Sequence, residues 1–374
     1  MTPSPGSYEE VAGALREAAA AGRRVRVRGS GTKLGWGAPV PDPDVELSTA
    51  KLDAIVEHNA GDLTAVVQAG LPLARLREEL AAAGQMLAID PPGEGTVGGL
   101  FATADSGPLR HRHGGPRDLV LGMTVALSDG TLARAGGKVI KNVAGYDLAK
   151  LFTGSYGTLG AILEVAVRLH PLPPRAVTAV GSSDDPAAVG RAATELAHAR
   201  IEAQCLDVAW AAGAGRVLGR FTGAEAAAQA AGAARALAAA GLAVEEVDDD
   251  AELWEAQRAG QRSAGGIVVR VSGVQVQLEE QMRAAERLGG SLVGRAAHGL
   301  SWIAFAGGGP EAVDGLRREL APSPCVVLDA PGELRGELDV WGVEDAPALE
   351  LMRRLKRRFD PAGACNPGVL MGGV

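Results

Sequence analysis

The chain is short of aromatic side chains, of cysteine and of any excess of positive charge. Five tryptophans, three tyrosines and five phenylalanines in 374 residues leave few flat faces for stacking bases, and a net charge of −8 supplies no basic surface for a phosphate backbone. Together these shortages exclude a nucleic-acid binder. No apolar stretch approaches the roughly 20 residues that a membrane span needs. The opening "MTPSPGSYEEVAGAL" lacks the basic-then-apolar order of a secretory signal, so a cytoplasmic setting is expected. The three cysteines, Cys205, Cys325 and Cys365, are odd in number and far apart. Without a Cys-x-x-Cys pair they form no disulfide framework and, on this chain alone, no iron–sulfur cluster or four-cysteine zinc site.

Glycine, by contrast, is plentiful, with 52 residues. The length predicts two domains. Residues 8–21 read as a helix that Gly22 ends, and Val25-Arg26-Val27-Arg28 as a strand. A strand at 64–69 and a helix near 72–83 follow, with Pro72 at its first turn and Gly84 at its exit. Residues 90–118, rich in Gly, Pro and His, are too long for a plain connection and form a candidate functional loop. "LVLGMTVALSDGTLARAG" reads as a hairpin turning at Asp129-Gly130. After Pro174 strands alternate with alanine-rich helices: strands at 267–276, 291–297, 300–306 and "PCVVLD", and a helix at 278–288. Thr222 and Glu225 make a capping-box pattern before another helix. This order predicts an α+β protein with helices layered on a sheet. The segments expected are 1–174, 175–335 and a C-terminal stretch, 336–374.

Two glycine-rich turns carry the chemistry. Strand 25–28 runs straight into Gly29-Ser30-Gly31-Thr32-Lys33. Glycines there permit positive φ and let backbone N–H groups converge into an anion-binding nest, to which the hydroxyls and Lys33 add donors and charge. A solvated surface turn would use the same residues. The second turn, "PPGEGTVGGLFATADSG" (91–107), contains a formal G-x-G-x-x-G. It is not a Rossmann site: Pro91-Pro92 interrupt the strand that should feed it, and further glycines allow only a short helix. Nor is "AGGKV" a phosphate loop, because Val139 stands where Ser or Thr must bind magnesium. Two small-residue turns approaching one ligand from two sides suit a long dinucleotide with a central pyrophosphate and a flat ring, which is the shape of FAD.

At this point the residues resemble a family. "RGSGTK", "GTVGGLFATADSG", "RDLVLGMTVALSDGT", "YDLAKLFTGSYGTLGAILEVAVRLHPLP" and "DPAGACNPG" occur in order. They are similar to the FAD-binding module of the vanillyl-alcohol oxidase/p-cresol methylhydroxylase superfamily, over residues 5–173 and the C-terminal tail. "SGPLRHRHGGPRDLVLG" and "GGKVIKNVAGYDLAKLFTGSYGTLG" resemble, within it, the FAD-binding subunits of bacterial glycolate oxidases. The resemblance implies a PCMH-type FAD-binding domain of two α+β subdomains and a ferredoxin-like, layered second domain with an antiparallel sheet. It implies that backbone amides of Gly29, Ser30, Gly31, Thr32 and Lys33 hold the pyrophosphate. Thr96, Gly98, Gly99, Ala102 and Thr103 then line the ribityl chain and ring. Gly157, Gly160 and Ile162 flank the adenosine half, and Asn366 reaches back near the flavin. Members with covalent flavin often carry His near the first glycine loop; Thr32-Lys33-Leu34 stands there, so non-covalent FAD is expected.

The same resemblance implies oxidation of a small 2-hydroxy acid such as glycolate. Its partners would be a larger catalytic flavoprotein subunit and an iron–sulfur subunit, with the assembly cytoplasmic or peripheral at the inner membrane through those partners. Catalytic relatives carry a clustered His motif that binds metal in the second domain, and no such motif is present; His198 and His298 read as isolated, and no metal is expected. The remaining catalytic candidates are Arg110, His111 and His113 in "GPLRHRHGG", expected near the flavin because they follow its glycines. In extended chain His111 and His113 share a face, as metal ligands can, and Arg110 or Arg112 can clamp a carboxylate. A basic solvated loop accounts for the same residues. Lys141 and Asn142 are candidates for the flavin's polar edge, Tyr146 and Asp147 for capping the next helix. "RRLKRRF" (353–359) reads as a solvated helix end or an anionic-partner surface. The alternatives to an FAD-binding subunit are a stand-alone FAD-dependent 2-hydroxy acid dehydrogenase and a non-catalytic assembly module that keeps the fold.

Overall fold

Ser7 starts the first helix: its hydroxyl accepts the Glu10 amide at 3.2 Å, and α1 (Tyr8–Ala20) runs until Gly22 takes a left-handed φ of 65°. The computed structural model describes residues 3–139, 146–343 and 347–374, and divides into two units.

The first unit comprises Met1–Ser106, Gly114–Leu172 and Val343–Val374. Strands β1 (Val25–Arg28) and β2 (Val45–Ser48) form a parallel pair. A five-stranded antiparallel sheet has the order β3 (Ile55–Asn59), β4 (Thr64–Gln68), β8 (Ala161–Arg168), β6 (Val120–Ala126), β7 (Leu132–Gly136). The short strands β5 (Gln85–Met86) and β9 (His170–Pro171) pair separately. β6 and β7 form the expected hairpin, with Gly130 at φ 86°. The central strand β8 is buried over seven of its eight residues, as its apolar run requires of a strand covered on both faces. Glu164 is the exception within it; Tyr8 Oη and Thr124 Oγ1 each donate to its carboxylate at 3.0 Å. On one side Ala161 and Leu163 meet Val11, Leu15 and Ala18 of α1. On the other, Val165 and Val167 join α2 (Leu73–Ala82) and the Val97, Leu100 and Phe101 face of α3 (Val97–Thr103). Asp147 caps the short α4 (Leu148–Phe152) by accepting the Lys150 amide, while Tyr146 is exposed.

The second unit comprises Gly107–His113 and Pro173–Gly342. Its chain order is β10 (Ala176–Ser183), α5 (Pro186–His198), β11 (Cys205–Ala211), β12 (Ala214–Thr222), α6 (Ala226–Ala239), β13 (Ala243–Val247). After α7 (Ala251–Ala259) come β14 (Ile267–Ser272), α8 (Leu278–Arg287), β15 (Ser291–Arg295), β16 (Leu300–Phe305), α9 (Pro310–Leu320), β17 (Cys325–Asp329). This is a βαββαβ unit written twice. The eight-stranded sheet runs β13-β10-β12-β11-β15-β16-β14-β17, all antiparallel, so each copy has the ferredoxin-like strand order and the copies join through their second strands. α5 packs on α6 within its copy and on α8 of the other, making one helical layer. The tandem repeat was not legible in sequence, where a single layered domain is expected.

Several expectations need correction. Residues 107–113 follow the glycines of the first unit but pack in the second, with Leu109 against the Cys205, Leu218 and Trp254 cluster. Packing of the partly buried Leu109 on that cluster, not chain adjacency, goes with this placement. The stretch 336–342 also belongs to the second unit. The capping box at Thr222 and Glu225 does not form: Thr222 stays in the β12 ladder opposite Ala176, Gly223 turns the chain, and Glu225 occupies the cap without a side-chain bond. Strand 267–276 stops at Ser272 and continues as a 3-10 turn over Gln275–Gln277. The last helix, α10 (Ala348–Phe359), returns to the first unit. No helix among the described residues is long and apolar enough to cross a membrane.

Candidate FAD site

β1 delivers the first glycine turn and α3 the second. Thr96 caps α3 by accepting the Gly99 amide, and the turns meet here: a Cβ on Gly29 would sit 2.1 Å from Thr96 Oγ1. Gly31 holds φ 82°. Among the described residues, the amides of Gly29, Ser30 and Gly31 donate to no protein acceptor, whereas those of Leu34 and Trp36 turn back to Gly31 and Lys33. Three adjacent uncommitted N–H groups on a left-handed turn are what an anion nest requires. The Lys33 ammonium is spent elsewhere: it lies 3.3 Å from Asp105, both side chains buried.

A cleft opens beside this turn. Its walls include Gly29 of the first turn, Gly98, Gly99 and Ala102 of α3, and Gly157, Gly160 and Ile162 ahead of and within β8. Seven of the expected cofactor residues, from three segments far apart in sequence, are thus brought together. Ser30, Gly31, Thr32, Lys33, Thr96 and Thr103 are not among its lining; Thr103 Oγ1 donates to Gly99 O at 2.8 Å within its own helix. Asn366 also lies outside the lining, its side-chain amide donating to Tyr156 O at 2.7 Å. Sequence reasoning missed Val27, Thr49, Ala69, Tyr156 and Ala161, which complete the walls. Ala69 was the detectable one, because a small residue ending β4 is what lets Gly98 close up; a Cβ on Gly98 would stand 2.7 Å from that of Ala69. Glycine is required at Gly160, with φ 150° and a Cβ that would reach Ala126 O at 2.6 Å. The uncommitted amides and the side-chain-poor walls fit a dinucleotide. Lys141 and Asn142 lie outside the described residues.

In the second unit, Arg110–His113 forms a single helical turn. Two residues apart on a helix point to different sides, so His111 and His113 do not present a shared face as extended chain would. His111 instead meets His298 edge-on, with ring centroids 5.9 Å apart. Burial, helped by His298 and Arg112, pushes the His111 imidazole down to about 4; burial, then Arg110 and Arg295, lowers His298. Arg112 pairs with Glu202 at 3.1 Å. Among the described residues no group of three or more His, Cys, Asp or Glu side chains could hold a metal ion. None of the three cysteines forms a disulfide and all are buried, and burial pushes the thiols of Cys325 and Cys365 up to about 11 and about 12.

Residues 3–136 match the family model described as "FAD binding domain". That part of the chain is similar to this FAD-binding domain, and the cofactor the match supports is FAD. Among curated proteins, the chain is 38% identical over 150 residues to glycolate oxidase subunit GlcE of Escherichia coli, covering 39% of this chain and 42% of that one. It is 36% identical over 172 residues to D-2-hydroxyglutarate dehydrogenase of Xanthomonas citri pv. viticola (46% and 36% covered). It is 35% identical over 177 residues to glycolate oxidase subunit GlcD of Bacillus subtilis (46% and 37% covered). The matches thus span about two-fifths of these relatives' length. Among solved structures, alkyldihydroxyacetonephosphate synthase superposes with a TM-score of 0.71 at 16% identity, covering 97% of this chain and 75% of that one. This likeness is of fold.

Proposed function

We propose that the chain is the FAD-binding subunit of a glycolate oxidase-type complex, an FAD-dependent oxidoreductase component that takes part in oxidising a 2-hydroxy acid, glycolate to glyoxylate. The observation that carries the reading is the glycine-walled cleft with the turn of uncommitted amides beside it, which together suit FAD, in a chain similar to a named glycolate oxidase subunit. Bound FAD supplies acceptance of the substrate's hydride and onward transfer of electrons. The chain's own residues do the rest. Gly29, Ser30 and Gly31 offer amides to the pyrophosphate, with Thr32 and Lys33 completing the turn. Gly98, Gly99 and Ala102, with Thr96 and Thr103 fixing their helix, admit the ribityl chain and ring. Gly157, Gly160 and Ile162 flank the adenosine half. The binding is non-covalent. Electrons leave through a larger flavoprotein subunit and an iron–sulfur subunit, because three isolated buried cysteines cannot hold a cluster.

The test is spectroscopic. Purified chain should be yellow and should bleach with glycolate only when the partner subunits are added. Protein that stays colourless with excess FAD overturns the reading. Bleaching by the chain alone favours a stand-alone dehydrogenase in which Arg110 and His111 receive the acid; in that case His111→Ala keeps FAD and loses turnover.

A further inference from the structure

The loop between α4 and β8 has a few bonds of its own, such as Thr158 Oγ1 to Ser155 O at 2.7 Å, and is otherwise held from outside. Gly154, Tyr156, Gly157 and Gly160 all have positive φ, and Tyr156 does so without being glycine. Two of its amides are anchored on α3: Gly154 N donates to Phe101 O at 2.9 Å and Tyr156 N to Ala102 O at 2.8 Å. Its carbonyls are anchored on the C-terminal tail. Lys356 of α10 turns its ammonium inward and donates to Thr158 O at 2.8 Å, Cys365 O at 2.7 Å and Asp360 Oδ2 at 2.6 Å, which uses all three of its N–H groups. Asp360, itself fully buried, accepts the Ala364 and Cys365 amides. Asn366 Nδ2 takes Tyr156 O at 2.7 Å. The same tail reaches the opposite wall: Val25 N donates to Ala364 O at 2.7 Å and Asn366 N to Val25 O at 2.8 Å, on the strand that ends in Gly29.

We infer that Lys356 and Asn366 are positioning residues for the cofactor: the C-terminal tail is a clasp that ties β1 and its glycine turn to the Tyr156–Gly160 loop and so pre-forms the FAD cleft. This rests on the FAD reading of that cleft. A clasp of this kind acts on affinity, because a loop already in its bound shape loses less freedom when the ligand arrives. Neither side chain lines the cleft, so the effect is transmitted through Tyr156 and Thr158 carbonyls.

Asn366→Gly is the discriminating variant. Asn366 has φ 39°, which glycine adopts freely, so the change deletes the side-chain bond and leaves the backbone in place. FAD titrated into full-length apoprotein, followed by flavin fluorescence, should show Kd raised about tenfold, with apoprotein melting within a few degrees of the unaltered chain. Amide exchange across 154–160 in the apoprotein should rise. Lys356→Met, which also strands Asp360, should raise Kd further, and Lys356→Arg should recover part of the loss. Unchanged Kd in Asn366→Gly with a lowered melting temperature overturns the clasp and leaves the cofactor site standing. Failure of the unaltered chain to bind FAD overturns both.

Discussion

The two units use buried polar groups in opposite ways. In the second, Asp207 of β11 and Arg295 of β15 face each other across the strands that join the two βαββαβ copies, 2.6 Å apart, with both side chains wholly buried. Gln261 takes another guanidinium N–H, and the Trp302 ring lies 4.7 Å away. Nearby Thr178 Oγ1 donates to Asp250 and accepts from Trp254 Nε1. These groups bond chiefly to one another, with Arg295 Nε the guanidinium nitrogen that has no acceptor. In the first unit, Gly29, Ser30 and Gly31 leave their amides uncommitted on a turn beside a cleft rich in glycine, of whose lining Gly29 is part. A closed polar network specifies a fold; an open row of amides beside a side-chain-poor cleft specifies a ligand. Buried ion pairs gain little over apolar residues of equal volume but are costly to break by half. The seam pair therefore reads as a device for register, with Asp207 opposite Arg295 holding one copy's β11 against the other's β15.

The largest effect should come from breaking that pair. Asp207→Ala strands a buried guanidinium and should cost about 3–5 kcal/mol in urea unfolding, with much of it recovered by also replacing Arg295 with Met. A loss under about 1 kcal/mol would erase the contrast between the units. In the first unit, Gly31→Val puts a β-branched residue at φ 82° with its Cβ 3.0 Å from Arg28 Nε, and should lower FAD affinity about 100-fold, which is about 2.7 kcal/mol. Flavin content that survives this change would remove the pyrophosphate assignment.

A smaller effect concerns His111. Its folded-state pKa of about 4 lies below the ordinary 6.5, so the unfolded chain takes up a proton first as pH falls. Its contribution is fully present above pH 6.5 and is lost between there and about 4; the charged groups that bear on the His111–His298 pair are Arg110, Arg112 and Arg295, of which Arg112 is paired with Glu202 and Arg295 with Asp207. His111→Asn should flatten the melting-temperature profile across that window, and a profile as steep as before would refute the assignment. Smallest is the pair of helix starts in the second unit. Asp185 accepts the Ala187 and Ala188 amides, so Asp185→Ala should cost about 1 kcal/mol. Thr222 makes no cap bond, and Thr222→Ala should stay within about 0.5 kcal/mol by the same denaturation assay.

Local signals were legible. β1 is Val25–Arg28 as alternation required, and β4, α2 and the Asp129-Gly130 hairpin lie where turn residues and apolar runs put them. Each depends on neighbours within a few positions. The cleft was partly legible for the same reason: glycine's freedom at Gly29, Gly31 and Gly157 is a property of the residue. What proximity in sequence suggested about 107–113 was misleading, because Leu109 packs, partly buried, against the cluster that holds Trp254 and its segment goes with the second unit.

By itself, then, the sequence determined the kinds of element, the places where only backbone can approach a ligand, and the cofactor those places suit. These follow from torsional preference and side-chain volume, which are local quantities. The tertiary structure alone decided that the βαββαβ unit occurs twice across an Asp207–Arg295 seam, that His298 meets His111, and that a lysine near the C-terminus holds the Thr158 carbonyl 198 positions away. Such contacts are set by which faces must be buried together, and no window along the chain contains that information.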